Sequence, residues 1–297
     1  MDTLDSMDMP DIDLVAGDDA VLLLHGLAAS PLEMRYVARA LHRDGFSVHV
    51  PHLHGYGYGA AATDSREWHA LACGIFDKLQ RQYRSVSVGG LCIGAVLALS
   101  LAAEKGRDVA ALSLLSTTLA YDGWSVPWYR FLLPLGYYTP LRHLYAYRER
   151  EPYGLKNEAL RKRIARAAQQ AALTEAGASS LPMNHIYQAM RLIGRVKRNL
   201  RSVQAPALVV HAIDDDTAST KSADFVIDHI GSQVVRTIFL GDSYHMITMD
   251  NEREVVARET SDFLREQIGG ASRPLLQRAR RSTNPRIMKS TTLPRIA

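Results

Sequence analysis

A cysteine stands where an apolar strand pattern gives way to a glycine-rich turn. Cys92 lies within residues 85–106, SVSVGGLCIGAVLALSLAAEKG, with Gly90 two positions before it and Gly94 two positions after it. This order predicts a strand, a sharp turn and a helix, with the thiol at the apex of the turn. A Cβ at either flanking position would collide with the neighbouring strand or helix, which explains the glycines. The arrangement is typical of a nucleophile elbow, usually built around serine, although a buried structural cysteine is compatible with the same five residues.

Two backbone N–H groups are predicted to face this thiol. The strand pattern VLLLHG is followed by Leu27, whose amide would lie at the carboxyl edge of the sheet. The amide of Ile93 comes directly after Cys92 and begins the helix. Two N–H groups aimed at one point form an oxyanion hole, which stabilises the negative charge that develops on a carbonyl oxygen under attack. The helix N-terminus also favours negative charge on the thiol.

Candidates for an acid and a base follow later strands. The pattern PALVVHAI precedes Asp214, Asp215 and Asp216, and the pattern VVRTIFL precedes GDSYHMITMD, which contains His245. A carboxylate can orient a histidine that takes the proton of a nucleophile. The chain order nucleophile, acid, base is typical of catalytic triads on largely parallel sheets. Spacing alone leaves open which of the three carboxylates is the acid.

The elements that would position these groups alternate between apolar strands and amphipathic helices. The strands are predicted at 21–26, 46–51, 85–89, 109–117, 206–216 and 234–240, and the helices at 31–45, 64–83, 92–105 and 251–267, with one more between the last two strands. Such alternation predicts an α/β fold with a mostly parallel sheet covered on both faces. The carboxyl ends of its strands would gather the candidate residues. The core is accordingly predicted at residues 20–118 and 205–267.

The segment 119–204 interrupts this alternation and is predicted to be a helical cap. It is rich in aromatic, aliphatic and basic residues, and no strand pattern separates its helical segments. One group of aromatic residues is predicted to bind the substrate's acyl group: Trp124, Trp128, Tyr129 and Phe131. The alternative is that these side chains only pack the cap against the core.

The chain ends and the composition bear on disorder, on nucleic acid or membrane partners and on cellular location. Residues 1–19 contain seven aspartates and no base, whereas residues 273–297 contain six arginines, one lysine and no acid, so segments 1–19 and 268–297 are predicted to be disordered. The basic tail is interpreted as a solvated segment and gives no firm indication of a nucleic acid or membrane partner. No apolar run reaches the roughly 18 residues of a membrane span, and the acidic start is not a secretory signal. Two cysteines exclude a disulfide framework, so a reducing, cytoplasmic location is expected.

Histidines outside the triad are not expected to bind metal. His49, His52 and His54 lie close together in VHVPHLHGYGYG, but no acidic or cysteine ligand accompanies them. Cys73 lies in a helical pattern and is interpreted as a core residue, and His185 and His211 as structural residues. No metal and no cofactor are predicted.

The motifs together resemble the α/β-hydrolase superfamily, and specifically its carboxylesterase and monoacylglycerol-lipase branch. The resembling pieces are VLLLHGLAAS, GGLCIGAVLAL, LVVHAIDDDTAS and SYHMITMD, within residues 20–267. The last is the most specific, since that branch has a very similar run around its base. The resemblance implies an α/β-hydrolase-type sheet, His245 as base and Asp215 as acid, because the branch has its carboxylate three residues before the position of Ala218. It also implies oxyanion amides at Leu27 and Ile93.

The cysteine is the departure from that branch. As a nucleophile in this superfamily, Cys92 resembles the cysteine nucleophiles of dienelactone hydrolases and polyhydroxyalkanoate synthases. The expected activity is hydrolysis of an ester or thioester of a moderately apolar acyl group, through a Cys-His-Asp triad and a thioester acyl-enzyme. The alternative is an acyltransferase that passes the acyl group from a thioester to an alcohol or amine. The expected partner is a small-molecule ester or thioester, with coenzyme A or an acyl carrier protein as further possibilities.

Overall fold

The computed structural model describes residues 10–59, 61–127, 131, 136–143, 145–148, 151–170, 173–174, 177–178, 180–269 and 288–290. The strands are β1 (Ile12–Leu14), β2 (Asp19–Leu24), β3 (Ser47–Val50), β4 (Ser85–Leu91), β5 (Val109–Leu115), β6 (Ala146–Arg148), β7 (Leu173–Thr174), β8 (Gly177–Ala178), β9 (Ser180–Pro182), β10 (Ala207–Ala212), β11 (Val235–Leu240) and β12 (Met288–Ser290). The helices are α1 (Arg35–Arg43), α2 (Ser65–Gln80), α3 (Ile93–Lys105), α4 (Glu158–Gln170), α5 (Met183–Asn199), α6 (Lys221–His229) and α7 (Arg253–Gly269).

Eight of these strands form one sheet in the order β1-β3-β2-β4-β5-β10-β11-β12. The inner strands from β3 to β11 run parallel, and the edge strands β1 and β12 pair antiparallel with β3 and β11. Helices α1 and α7 pack on one face, and α2, α3, α5 and α6 contribute to the core on the other. Because both faces are covered, the inner strands are continuous apolar runs. The predicted α/β fold with a mostly parallel sheet is confirmed.

Segments at the two ends differ from the predicted disorder. Ile12 and Leu14 pack against the core, and Asp13 between them hydrogen-bonds His49 at 2.7 Å. The alternation of two apolar residues around one aspartate therefore forms an edge strand, which the high acidity of this segment concealed. At the other end, Met288–Ser290 pair with Thr237–Phe239 of β11.

The segment between β5 and β10 is not purely helical. Besides α4 and α5 it contains two small antiparallel pairs, β6 with β9 and β7 with β8. These strands have two or three residues each, too few to show a period of two in the sequence. Helix α5 packs on α3 and so joins the cap to the helix that begins at Cys92. Within the described residues no helix is long and apolar enough to cross a membrane.

Candidate active site

The elbow has the strained geometry that its sequence predicts. Cys92 has φ 58° and ψ −118°, and it connects the end of β4 to the first residue of α3. A Cβ on Gly90 would lie 2.3 Å from the carbonyl carbon of Gly94, and one on Gly94 would lie 2.2 Å from the carbonyl oxygen of Leu24. Side chains at either position would therefore push the helix away from the sheet. The two glycines hold Cys92 at the carboxyl edge of the central strands.

Cys92 is half-buried, and a hydroxyl lies against its sulfur. The Sγ atom is 3.3 Å from Oγ1 of Thr118, which itself donates a hydrogen bond of 3.2 Å to the carbonyl of Ser116. Either atom can be the donor in this contact, so Thr118 can hydrogen-bond both a thiol and a thiolate at Cys92. Sequence reasoning missed Thr118. The available signal was the polar run Ser116-Thr117-Thr118 at the carboxyl end of β5, the strand beside β4.

His245 and Asp215 form a buried pair in the structure. The Nδ1 atom of His245 lies 3.0 Å and 2.8 Å from the two carboxylate oxygens of Asp215. The Oδ1 atom of this carboxylate also accepts the amides of Thr217 and Ala218, each at 2.8 Å. The Nε2 atom of His245 is buried and has no hydrogen-bond partner among the described residues. The pair therefore presents one ring nitrogen that is free to exchange a proton.

The charges of the site favour an imidazolium on His245. Burial disfavours the charged ring, but the Asp215 carboxylate and then Cys92 outweigh it and raise the pKa of His245 well above its ordinary value. For Asp215, burial alone would raise the pKa, but His245 and, to a smaller extent, His211 hold it below its usual range. The site therefore stabilises a proton on the imidazole of His245.

His211 supports the same carboxylate, although its sequence context indicated only a structural role. Its Nε2 atom lies 2.8 Å from the carbonyl oxygen of Ala218 and 3.4 Å from Oδ2 of Asp215. Burial lowers the pKa of His211, and its Nε2–H donates to that carbonyl. Asp215 is thus approached from both sides by imidazole rings.

The neighbouring aspartates are placed differently. Asp214 is exposed and lies 3.4 Å from the Lys156 ammonium. Asp216 is buried, and its Oδ2 atom accepts the amide of Gly154 at 3.2 Å. Burial raises the pKa of Asp216, which favours its neutral form. Of the three carboxylates, only Asp215 hydrogen-bonds the imidazole of His245 in the described structure.

The two predicted oxyanion amides lie at the ends of elements that meet at the elbow. Leu27 follows β2, and its N–H has no acceptor within the described part of the chain. The turn is fixed on both sides of it, since Gly26 N–H donates to Glu33 Oε2 at 2.8 Å and Ala28 N–H donates to the carbonyl of Tyr56 at 3.0 Å. Ile93 begins α3, where the first amides of a helix have no intrahelical partner. Both donors are available for a ligand.

Asp250 organises the loop that carries His245. One of its oxygens accepts the amides of Lys156 and Tyr244, at 2.7 and 2.8 Å, and the other accepts those of Asn157 and Asn251, at 2.9 and 3.0 Å. The carboxylate therefore joins the histidine loop to a segment of the cap. These contacts provide a physical reason for the aspartate at the end of SYHMITMD, which the sequence pattern alone does not reveal.

The predicted aromatic group is only partly within the described residues. Trp124 is 60% exposed, donates from Nε1 to the carbonyl of Asp214 and packs edge-on against Tyr244. Phe131 is 63% exposed. Trp128 and Tyr129 lie outside the described residues. Trp124 thus borders the loops of the acid and the base, but it does not line an enclosed cavity there.

A different set of apolar cap residues lies on the side of Cys92. Tyr121 packs both against the core cluster that Cys92 contacts and against a small cap cluster, formed by Tyr137, Met183 and Ile186. Apolar surface therefore continues from the nucleophile region into the cap.

Comparison with known proteins agrees with this geometry. The family described as "Serine aminopeptidase, S33" (Hydrolase_4) matches residues 16–252. The chain belongs to this family of α/β-hydrolases. The prediction that it is a hydrolase enzyme is thereby confirmed, while the serine in the family's description contrasts with Cys92 of this chain.

Relatives of this hydrolase include two curated bacterial enzymes. The chain is 25% identical over 257 residues to a carboxylesterase of Bacillus subtilis, which covers 84% of this chain and 93% of that protein. It is 24% identical over 264 residues to a thermostable monoacylglycerol lipase of a Bacillus species, covering 85% and 93%.

Solved structures share the fold. A structure of the metagenome-derived lipolytic enzymes LipS and LipT superposes with a TM-score of 0.73 at 21% identity, covering 88% of this chain and 98% of that chain. The monoacylglycerol lipase of Paleococcus ferrophilus superposes with a TM-score of 0.72 at 16% identity, covering 88% and 100%.

Proposed function

We propose that this protein hydrolyses a carboxylic ester or thioester of a moderately apolar acyl group, with Cys92 as nucleophile, His245 as base and Asp215 as the acid that orients His245. The observation that carries the proposal is the buried His245–Asp215 pair, whose free Nε2 belongs to the same charged site as Cys92. The names of the relatives, carboxylesterase and monoacylglycerol lipase, support the ester class.

The first half of the reaction acylates the thiol. With the thiol proton on His245, Sγ of Cys92 attacks the carbonyl carbon, and the π electron pair of the carbonyl moves onto its oxygen. The amides of Leu27 and Ile93 bind this oxyanion. Collapse of the intermediate breaks the bond to the leaving alcohol or thiol, which takes its proton from His245. A thioester between Cys92 and the acyl group remains.

The second half returns the free enzyme. Neutral His245 takes a proton from water as the water oxygen attacks the thioester carbonyl, and the same two amides bind the oxyanion. Breaking the C–S bond releases the carboxylic acid and regenerates the Cys92 thiolate beside the His245 imidazolium. Asp215 holds Nδ1–H throughout, so that Nε2 is the nitrogen that exchanges protons.

The acyl group is proposed to bind along the cap. Tyr121 and the adjoining cap cluster offer buried apolar surface on the side of Cys92. Trp124 and Phe131 offer exposed aromatic surface. The proposal also includes Trp128 and Tyr129, which lie outside the described residues. The cap supplies no catalytic group in this scheme.

Water is the proposed acceptor, since both relatives are named for hydrolysis. Transfer to an alcohol or amine, with coenzyme A or an acyl carrier protein as donor, is the competing outcome of the same acyl-enzyme. A thiol nucleophile needs a reducing compartment, so the proposal includes a cytoplasmic location.

The test combines labelling with kinetics on p-nitrophenyl esters from C2 to C10. Cys92→Ala should abolish turnover, and iodoacetamide should inactivate the protein with alkylation at Cys92. Cys73→Ser is the matched control, because it removes the chain's other thiol, which is buried. It should keep the activity. An apolar acyl site predicts affinity that rises about fourfold per added methylene, from about 0.8 kcal/mol each.

Each part of the proposal can fail separately. Activity retained in Cys92→Ala would refute the nucleophile. Equal affinity for all chain lengths would refute the apolar acyl site. Faster product formation on adding an alcohol, with the new ester as product, would favour transfer over hydrolysis.

A further inference from the structure

We propose that His69, Cys73 and Glu104 form a binding site for a borderline-soft divalent metal ion such as Zn²⁺, separate from the site of Cys92. His69 and Cys73 lie on α2, and Glu104 lies near the C-terminal end of α3. Because α3 begins next to Cys92 and rises 1.5 Å per residue, Glu104 is about 18 Å away from the elbow.

The ligand atoms already lie close together. His69 and Cys73 are four residues apart and so share one face of α2, with Nε2 and Sγ separated by 3.6 Å. Glu104 brings a carboxylate oxygen to 2.6 Å from the same Nε2. All three ligand atoms lie within 4.8 Å of one another. Among the described residues this is the one group of three or more potential metal ligands, whereas His49, His52 and His54 form none.

These distances suit a tetrahedral ion. Zinc binds sulfur at about 2.3 Å and nitrogen or oxygen at about 2.0–2.2 Å, so ligand atoms around it lie roughly 3.3–3.6 Å apart. The separation of Nε2 and Sγ falls within that range without any movement. The hydrogen bond between His69 and Glu104 would have to open by about 0.7 Å, which the exposed Glu104 side chain can do by rotation.

A hydrogen bond to the other ring nitrogen of His69 orients this ring for metal binding. The other ring nitrogen of His69, Nδ1, lies 2.9 Å from Oγ of Ser100. When Nε2 binds a cation, Nδ1 carries the proton and donates it to this hydroxyl, which fixes the tautomer and the ring plane. Lys105, beside Glu104, pairs with Asp77 at 2.8 Å and also lies 3.7 Å from Oε1 of Glu104, whose other oxygen, Oε2, faces His69.

The cluster is accessible from solvent. His69, Ser100 and Glu104 line a cavity of about 320 Å³ between α2, α3 and α5, together with Arg66 and Arg195. Three protein ligands leave a fourth position, which water can occupy from this cavity. Metal binding would release the thiol proton of Cys73 to the buffer as the S–metal bond forms.

Such an ion would link α2 to α3. Its contribution should be structural, because no ligand of the cluster takes part in the proposed reaction at Cys92. The sequence pattern does not predict this site, since the third ligand comes from a different helix.

The test uses Co²⁺ as a spectroscopic probe in the Cys92→Ala protein. The chain has two cysteines, so a thiolate-to-cobalt charge-transfer band in this variant can arise only from Cys73. We expect the band to saturate at one equivalent of Co²⁺ and to disappear when one equivalent of Zn²⁺ is added. Cys73→Ser in the same background should abolish the band. Ser100→Ala should keep it but weaken the affinity about 10–100-fold.

Controls separate metal binding from folding defects. Glu67→Gln removes an exposed carboxylate of α2 outside the cluster and should leave the titration unchanged, whereas Glu104→Gln should weaken it. Circular dichroism melting without metal shows whether each variant folds. If Cys73→Ser does not fold, Ser100→Ala tests the site in its place. A missing charge-transfer band in Cys92→Ala, or a titration insensitive to both Glu104→Gln and Ser100→Ala, would overturn the site.

Discussion

Replacing Asp215 by asparagine should trap His245 in the wrong tautomer. The Oδ1 atom of Asp215 accepts two amides, from Thr217 and Ala218, so the amide oxygen of an asparagine would take that position. Its NH2 group would then occupy the position of Oδ2, 2.8 Å from Nδ1 of His245. An NH2 group can only donate there, which favours Nδ1 as an acceptor and the ring proton on Nε2, because the NH2 group is the nearer of the two side-chain groups, at 2.8 Å against 3.0 Å for the amide oxygen. With Nε2 protonated, the neutral ring can no longer take the proton of Cys92.

The change of the His245 tautomer determines the expected loss of kcat. Triads that lose the correct tautomer in this way lose up to about 10⁴-fold in kcat, or about 5.4 kcal/mol of transition-state stabilisation. A thiol needs less help from the base than an alcohol, so we expect a loss of about 10³–10⁴-fold. The pKa of His245 should also fall, because the carboxylate that raises it most is gone.

The adjacent aspartates provide matched controls. Asp214→Asn removes an exposed pair with Lys156, worth at most about 1 kcal/mol, so kcat should change less than about fivefold. Asp216→Asn resembles the neutral acid that burial favours, and its oxygen can still accept the Gly154 amide, so it should also be mild. Steady-state turnover of a p-nitrophenyl ester measures all three, and ¹⁵N shifts of the imidazole report the tautomer. Equal losses in the three variants, or the largest loss at Asp216, would refute this reasoning.

Two further predictions concern stability. Asp250→Asn should destabilise the fold by about 3 kcal/mol or more in urea unfolding, because its NH2 group would face two of the four amides the carboxylate accepts; an unchanged midpoint would contradict this. His185 is buried with both ring nitrogens unpartnered among the described residues, and burial lowers its pKa to about 4 from 6.5. Between those values the unfolded chain binds more protons, so stability rises with pH, and His185→Phe should remove about 2 kcal/mol of the stability lost between pH 7 and pH 5. The slope due to His25, whose pKa burial lowers to about 3, should remain in both proteins, and identical pH profiles would refute the assignment to His185.

The parts of the site that could be predicted from the sequence pattern depend on local backbone geometry. Gly90 is required by contacts within the turn and Gly94 by its close approach to the carbonyl oxygen of Leu24 at the end of β2, so the glycine spacing predicts the strand, the turn and the helix. Spacing alone left open which of the three adjacent aspartates is the acid, and only the family resemblance assigned Asp215. Only the amides of Thr217 and Ala218 turn Asp215, rather than its neighbours, toward His245.

Long-range contacts account for what the sequence did not predict. Thr118 reaches Cys92 from the next strand, and Glu104 reaches His69 from the next helix. Both depend on how the strands and helices pack, and a pattern along the chain carries no record of that packing. The edge strand at Ile12–Leu14 was missed for the same reason, since it is stabilised by β3 and not by its own composition.

A short stretch of the cap connects the loops that carry Asp215 and His245. The amide of Gly154 donates to Asp216, next to Asp215, and its carbonyl accepts the amide of Met246, next to His245, at 2.8 Å. Gly154 has φ 69°, and a Cβ there would lie 2.7 Å from Cγ of Met246, so glycine is required both by the conformation and by the close approach. The cap therefore supplies no reacting group to the proposed mechanism, yet it fixes the spacing of the Asp215 and His245 loops. Substitutions of exposed cap residues that contact neither loop should then be tolerated far better than changes at Gly154, because Gly154 hydrogen-bonds residues next to both Asp215 and His245.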